Sequence, residues 1–340
     1  QHISKCVRSL RFPVSSFRWL SKFSSILKSR WICDNFSNSS PQSFARVGVL
    51  TGCDIDFDCF DIRDFASISC KLEQFRPDIV IHFAGLKAVG ESVLEPLSYY
   101  ENNICGTLKL LQAMDQVGCT KFVFSSSATV YGHPETLPLT EEHKVNPLNP
   151  YGRTKLFIEE IIKDWCRTDS QKSATLLRYF NPVGAHASGQ IGESPSGVPN
   201  NLMPLVSQVA VGRRELLHIF GQDYDTLDGT GVRDYIHVCD LADGHLAALD
   251  YCLKSTGANI INLGTGRGHS VLELVRAFEK VSGQQVRYEF KPRREGDIAS
   301  CYADVGKAKA MLGWEAKLDI HDMCADAWRW QSQNPNGYDG

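Results

Sequence analysis

Ser125, Ser126 and Ser127 follow the run Lys121-Phe122-Val123-Phe124, and Tyr151 and Lys155 stand four residues apart where Lys155-Leu156-Phe157-Ile158-Glu159-Glu160-Ile161-Ile162 begins. The first run reads as a short buried parallel strand, the second as a helix. Residues four apart on a helix share a face, so the Tyr151 phenol and the Lys155 ammonium can address one target. A hydroxyl at a strand end, with a phenol beside a fixed cation, is a proton-transfer site. A free tyrosine titrates near about 10, and making it a base at neutral pH takes roughly 4 kcal/mol of differential stabilisation, which nearby positive charge favours. Ser127 can then hydrogen-bond the same substrate hydroxyl and orient or relay its proton. A Tyr-x-x-x-Lys spacing alone is weak, because an ordinary helix start carries both residues by chance; the serine-rich strand end upstream gives it weight.

Elements that would position this site recur along the chain. Trp31-Ile32-Cys33 ends as a strand with Asp34-Asn35-Phe36 at its tip. An acid there suits the ribose hydroxyls of a dinucleotide, the plain alternative being a turn-forming Asp-Asn pair. Residues 37–52 read as a loop, residues 55–60 as a strand ending in Asp61-Ile62, and Asp64 starts a helix to Phe75 that Pro77 stops. Asp78 to Phe83 is an apolar strand running into Ala84-Gly85-Leu86-Lys87, where small residues admit a ligand to the backbone. His82 within it reads as a core histidine. Tyr99 to Met114 reads as one long helix, and Ala174 to Phe180 as the next strand. Alternation at this spacing predicts an α/β fold, a doubly wound parallel sheet with ligands at the carboxyl ends of its strands. Past Pro182 come a polar loop over 186–201, a helix from Met203 to Gly212, a strand from Leu216 to Phe220, a helix from Asp240 to Leu253 and a strand from Asn259 to Leu263. Gly264-Thr265-Gly266-Arg267-Gly268 reads as a tight turn with a Ser270 cap rather than a phosphate loop.

The chain has 340 residues, 43% hydrophobic content and a net charge of −3, which argue against a nucleic-acid or membrane surface. Its 12 cysteines are scattered with no C-x-x-C pair, which reads as a reduced, cytosolic protein whose cysteines act as small hydrophobes; no metal is implied. Residues 1–30 differ: they are rich in Lys, Arg and Ser, with no acid and no glycine. That composition resembles a transit peptide, and equally a translated non-coding stretch or alternative exon.

From about Ile32 to Asn336 the chain resembles the UDP-glucose 4-epimerases of the extended short-chain dehydrogenase/reductase family. The likeness rests on Phe83 to Ser92, Ser125 to Gly132, Asn149-Pro150-Tyr151-Gly152, Arg178 to Pro182, Pro199 to Pro204, Gly231 to Val238 and Arg294-Glu295-Gly296-Asp297. It implies a Rossmann domain over residues 31–182 that binds NAD, and over 183–340 a smaller C-terminal α/β region that binds a UDP-hexose. It implies Tyr151 as the base, Ser127 as its assistant and Lys155 as holder of the phenolate and the nicotinamide ribose. Asp34, Asn35, Phe36, Ser37, Asn38, Asp61, Ile62, Phe83, Lys87, Lys155 and Tyr179 fall at cofactor-contacting positions. Ser127, Ala128, Thr129, Tyr179, Phe180, Asn181, Asn200, Asn201, Leu202, His218, Ile219, Phe220, Arg233, Arg294, Glu295, Gly296, Asp297 and Cys301 fall at substrate positions. Arg233 and Arg294 suit a diphosphate clamp. A small residue at Cys301 implies room for N-acetylated hexoses, and the family also implies a homodimer through the helices around Tyr99 to Met114 and Tyr151 to Trp165.

Two alternatives accompany this reading. Sibling nucleotide-sugar 4,6-dehydratases carry an Asp-Glu pair directly after the hydroxyl residue, whereas this chain carries Ala128 and Thr129, which disfavours elimination. The family's N-terminal strand, Gly-rich turn and first helix have no counterpart in residues 1–30. A strand around Cys6 to Phe12 can stand in, but no phosphate turn can, so a truncated, inactive UDP-sugar-binding module is the second alternative.

Overall fold

The structure, a computed structural model, describes residues 5–9, 29–195, 197, 199–294 and 296–339, with the backbone alone at 5–9, 29 and 339. The remaining stretches lie outside the described residues. With them go most of the targeting-segment reading, the question of whether a phosphate turn is missing before residue 29, and Glu295.

The first half alternates strands and helices. It runs β1 (Lys5–Ser9), β2 (Ser29–Cys33), α1 (Gln42–Thr51), β3 (Asp56–Asp58), α2 (Phe65–Phe75), β4 (Ile79–His82), the short α3 (Val89–Leu94) and α4 (Pro96–Tyr99), α5 (Gly106–Val117), β5 (Lys121–Ser127), α6 (Pro150–Arg167) and β6 (Ser173–Tyr179). The second half follows with β7 (Asn181–Val183), α7 (Leu202–Ala210), β8 (Leu217–Phe220), β9 (Val232–His237), α8 (Val238–Lys254), β10 (Gly257–Leu263), β11 (Gly268–Ser270), α9 (Val271–Ser282), β12 (Tyr288–Lys291), β13 (Ser300–Cys301), α10 (Gly306–Leu312) and α11 (Ile320–Gln333).

Seven strands form one sheet in the order β10-β6-β5-β4-β1-β2-β3, every pair parallel. The chain winds outward in both directions from β1 and β4, so the crevice at their carboxyl ends is the ligand position of such a sheet. Helices cover both faces, which is why Ile79-Val80-Ile81 and Phe122-Val123-Phe124 are apolar and fully buried. His82 lies in this run with its Nε2 2.9 Å from Thr107 Oγ1. Burial, assisted by Lys155, pushes it down to about 3, so it is a neutral core histidine as the sequence suggests.

A smaller assembly has β9 at its centre, flanked by β11, β13 and β7, while β8 pairs with β12. Its apolar side chains, Val206, Ile219, Tyr235, Leu274, Phe278 and Cys324 among them, form a core cluster with residues of α7, α9 and α11. Ser270 caps α9 through a capping box with Glu273, as the turn-and-cap reading expects.

Two elements differ from the sequence reading. Within the expected loop over 37–52 lies α1, whose Phe44 and Val47 are buried one turn apart and which ends on Gly52 at φ 64. Of its apolar residues only Phe44 and Val47 are buried, while Val49 is exposed, so the sequence shows no clean apolar stripe and packing decides the helix. The single helix expected over Tyr99 to Met114 is split by a π turn, Tyr100–Cys105, that buries Asn102 and Asn103. Side-chain amides compete with the backbone in helices, and π turns mark functional positions.

Candidate active site

β5 delivers Ser127 to its carboxyl end in register with Tyr179 of β6. The Ser127 side chain caps the short turn Ala128–Val130, accepting from Thr129 N at 3.3 Å and Thr129 Oγ1 at 3.0 Å. The Asn149 side chain starts α6 by accepting from Gly152 N at 2.8 Å, with Pro150 in the first turn, and this fixes the helix that carries Tyr151 and Lys155. The Ser127 hydroxyl acts on the Tyr151 phenol, favouring its ionised form. Lys155 is buried, with Nζ donating to Ser125 O at 2.7 Å and standing 4.8 Å from the Phe124 ring centre and 5.9 Å from that of Tyr151. The three residues of the sequence reading therefore come together.

In the protein alone the phenol is not yet a base. Burial pushes the Tyr151 phenol up to about 12, with the Ser127 hydroxyl opposing it. Burial also pushes Lys155 down to about 7, with Glu159 opposing it. The protein's own groups keep the phenol neutral, so Lys155 alone does not make the base. Desolvation is the largest influence on both groups.

A buried network braces this floor. Glu159 accepts from Ser126 Oγ at 2.5 Å and from Arg178 Nε and Nη2 at 3.0 and 2.7 Å. The Arg178 guanidinium in turn stands 4.7 Å from the Tyr131 ring, and Tyr131 donates to Asn262 Oδ1 at 2.7 Å. Asn103 ties the Leu86–Lys87 loop to α6: its Oδ1 accepts from Leu86 N at 2.7 Å while its Nδ2 donates to Leu86 O at 3.0 Å and Thr154 Oγ1 at 3.1 Å. Neither Asn103 nor Glu159 was singled out from sequence. The signal available for Asn103 was a pair of asparagines inside a strongly helical stretch.

On the β2–β3 side, Asp34 is buried and accepts from Phe36 N at 2.7 Å and Ser39 Oγ at 3.2 Å. Asn35 donates to Asp61 at 3.1 Å, and the Arg63 side chain holds Asp61 down near about 2. Ser37 N donates to Asn35 Oδ1, Phe36 takes φ 52 with its ring edge-on to Phe44 and Phe57, and Asn38 follows in the same bend. Ile62 is packed against Gly106, where a Cβ would lie 2.8 Å from Ile62 Cγ2. Phe83 packs 5.0 Å from the His245 ring, and His245 also takes a hydrogen bond with the Tyr179 hydroxyl. Lys87 Nζ stands 3.8 Å from Glu193 Oε1. Carboxylates at the tips of β2 and β3 suit ribose hydroxyls, and the ammonium of Lys155 suits a ribose near Tyr151. These residues fit a dinucleotide's two sugar ends.

The substrate-side residues gather around Arg233. Its Nη2 is 3.9 Å from Asp297 Oδ1, and Arg294 Nε donates to Asp297 Oδ2 at 3.0 Å. The Arg294 guanidinium carbon is 4.8 Å from the Phe220 ring centre, and Gly296 supplies the positive φ of 77 in this turn. Cys301 pairs in register with Arg233 and joins a buried cluster with Phe180 and Val130, against which Ala128 packs. That cluster packs the strand beside Arg233 against the turn that follows Ser127. Asn181 pairs with Tyr235 on the neighbouring strand, and Asn200 is exposed beside Asn201, which donates to Glu193 at 2.8 Å. Leu202 opens α7 against the core. Strand alternation separates the β8 trio: Ile219 is buried in the core, while His218 and Phe220 share the other face, His218 meeting Glu289 at 3.0 Å.

The model of the family described as GDP-mannose 4,6 dehydratase matches residues 33–327. A UDP-glucose 4-epimerase of Bacillus subtilis (strain 168) is 59% identical over 307 residues, covering 90% of this chain and 91% of that protein. One of Bos taurus is 56% identical, covering 90% of each. The crystal structure of UDP-glucose 4-epimerase from Bifidobacterium longum in complex with NAD+ and UDP superposes with a TM-score of 0.93 at 48% identity, covering 98% of this chain and 100% of that one. With Ala128 and Thr129 following Ser127, and relatives at this identity over nearly the whole described fold, the chain belongs to the UDP-glucose 4-epimerase family.

Proposed function

We propose that the protein interconverts UDP-glucose and UDP-galactose by oxidising the hexose at C4, letting the 4-keto sugar turn, and reducing it on its other face. The observation that carries this reading is the apolar packing of Ala128, Phe180 and Cys301, with Cys301 in register with Arg233, which supports joining the proton-transfer trio to an anion clamp. NAD, when bound, takes the hydride from C4 and returns it, and the positive charge of its oxidised ring opposes the burial that keeps Tyr151 protonated. Tyr151 then removes the 4-hydroxyl proton and gives it back on the return, so hydride and proton both leave and both come home. Ser127 orients that hydroxyl, and Lys155 holds the ribose and the phenolate. Asp34, Asn35 and Asp61 hold the adenosine end. Arg233 and Arg294 grip the diphosphate, which leaves the hexose free to turn about its link to it. Residues 31–182 carry the cofactor and 183–340 chiefly the nucleotide sugar. Ala128 and Thr129 carry no acid or base for elimination.

Tyr151→Phe in the NAD-loaded protein is expected to slow interconversion about 10²–10⁴-fold, the usual reach of a positioned acid–base group. Parent-like turnover by that variant refutes the assignment. A parent protein that purifies without nicotinamide points instead to the inactive module.

Buried Cys301 also supports activity on UDP-GlcNAc and UDP-GalNAc. Cys301→Tyr is expected to lose that pair while keeping UDP-galactose; a parent that turns over UDP-galactose alone counts against it. A homodimer is supported by exposed Val93, Leu94, Leu97 and Phe157 on α3, α4 and α6, and the cytosol by cysteines that are free wherever their side chains are described. Among the described residues no helix is long and apolar enough to cross a membrane.

A further inference from the structure

The polar loop over 186–193 is held along its length by side chains from the far end of the chain. Arg329 Nη1 donates to Ala187 O at 3.1 Å, Asn334 Nδ2 to Gly189 O at 2.8 Å and Trp330 Nε1 to Glu193 O at 3.1 Å. The hydroxyl of buried Tyr338 accepts from Gly192 N at 3.2 Å and donates to Gly192 O at 3.3 Å. Gly192 lies against the Trp330 ring, where a Cβ would overlap the indole. Arg46 of α1 closes this strap from the cofactor side. Its Nη1 donates to Gln190 O at 3.0 Å and to Asn334 Oδ1 at 2.6 Å, and its guanidinium carbon stands 4.8 Å from the Tyr338 ring centre.

These contacts converge on Glu193. Gly192 O and Glu193 O belong to the two planar peptide groups that flank its Cα, so Tyr338 and Trp330 fix the backbone that carries its side chain. That side chain is 13% exposed, and its Oε1 stands 3.8 Å from Lys87 Nζ while accepting from Asn201 Nδ2 at 2.8 Å. Burial raises the Glu193 carboxyl, and Lys87 and Asn201 oppose that. Lys87 follows β4 among the cofactor-side residues, and Asn201 caps α7 among the substrate-side ones. One carboxylate therefore ties the two halves of the site together.

We infer that the C-terminal segment is a positioning element for the reaction: Trp330 and Tyr338 set Glu193, and Glu193 holds Lys87 and Asn201 in place for cofactor and sugar. The inference rests on the functional reading above. A hydroxyl that both donates to and accepts from one glycine serves placement, since filling the same space would need only the ring.

The test is Tyr338→Phe in the full chain, alone and combined with Glu193→Gln. The readouts are kcat and KM for UDP-galactose, measured well below the melting temperature of each variant. Tyr338→Phe keeps the ring beside Arg46 and removes only the hydroxyl. The expected result is a KM about fivefold higher with kcat within about twofold of the parent, the reach of one displaced hydrogen bond. Glu193→Gln raises KM by at least as much. Adding Tyr338→Phe to it then changes KM by less than about twofold, because both act on the same contacts. A purely structural role lowers Tm and leaves KM alone, or multiplies the two effects on KM. Either result overturns the inference, as does a parent-like KM in Glu193→Gln. Should Tyr338→Phe fail to fold, Arg46→Met, which releases Gln190 O and Asn334, takes its place in the same cycle. A parent that turns over neither UDP-glucose nor UDP-galactose overturns the functional reading, and this inference with it.

Discussion

Lys155→Met is expected to stabilise the protein while abolishing catalysis. Lys155 is buried, and burial brings its ammonium from an ordinary value near 10.5 down to about 7. One pKa unit corresponds to 1.36 kcal/mol, so holding this lysine in the fold opposes stability by about 4 kcal/mol near neutral pH, an order-of-magnitude figure. The sign follows from proton counts. Between pH 7 and 10.5 the unfolded lysine keeps its proton and the folded one sheds it, so stability rises with pH across that window. The opposition is complete below pH 7 and gone above 10.5. Moving from about pH 7 to about pH 9.5 should therefore stabilise the parent by about 3 kcal/mol relative to the variant. Methionine has similar length and removes only the charge and the bond to Ser125 O, while Glu159 keeps Arg178 as its partner. The assay is urea unfolding of parent and variant at both pH values, comparing the two differences. His237, raised to about 9, titrates in the same window with the opposite sign, but it is common to both proteins and cancels. Curves that move in parallel with pH refute the reasoning, since they mean that Lys155 stays fully charged in the fold.

Glu159→Gln strips the charge from a buried bidentate partner of Arg178 and is expected to destabilise by about 3–5 kcal/mol in urea unfolding; it also removes the group that favours the Lys155 ammonium. Asp326→Asn removes the carboxylate 3.3 Å from buried His237. Because that histidine is raised from 6.5 to about 9, its contribution is complete below 6.5 and lost as pH rises through 9, so the variant should be destabilised near neutral pH by about 1–3 kcal/mol and match the parent at high pH. A deficit that does not shrink with pH would assign Asp326 to packing alone.

What was legible in the sequence was what periodicity and cap chemistry report. The apolar runs at Ile79 and Phe122 announced strands buried on both faces, and the pattern from Tyr151 through Ile162 announced α6. The resemblance brought in Arg233, Arg294, Asp297 and Phe220, which the fold does gather. Less legible were features that exist only through long-range packing. Glu159 looks like any helix-surface acid until Arg178, 19 residues on, is seen to neutralise it in the core. Tyr224 reads as a loop tyrosine until its hydroxyl is found buried and unpartnered. β8 shows the same limit in small: His218, Ile219 and Phe220 are consecutive, but the pleat sends the middle one into the core.

Charge state is where spacing alone stops short, and the reason bears on mechanism. Tyr151 and Lys155 are neighbours, yet both are buried, and burial is the largest influence on each, raising the phenol and lowering the ammonium. An ionised pair resting in the free protein would have needed solvent or further donors, either of which would blunt its response to what binds. Holding the phenol neutral and the ammonium near its midpoint leaves both poised to change protonation when a positive ring and a sugar hydroxyl arrive. The destabilisation that Lys155→Met relieves is therefore the same quantity that makes the site responsive. A variant that gains stability by losing that charge should lose, in the same step, the coupling between ligand binding and proton transfer.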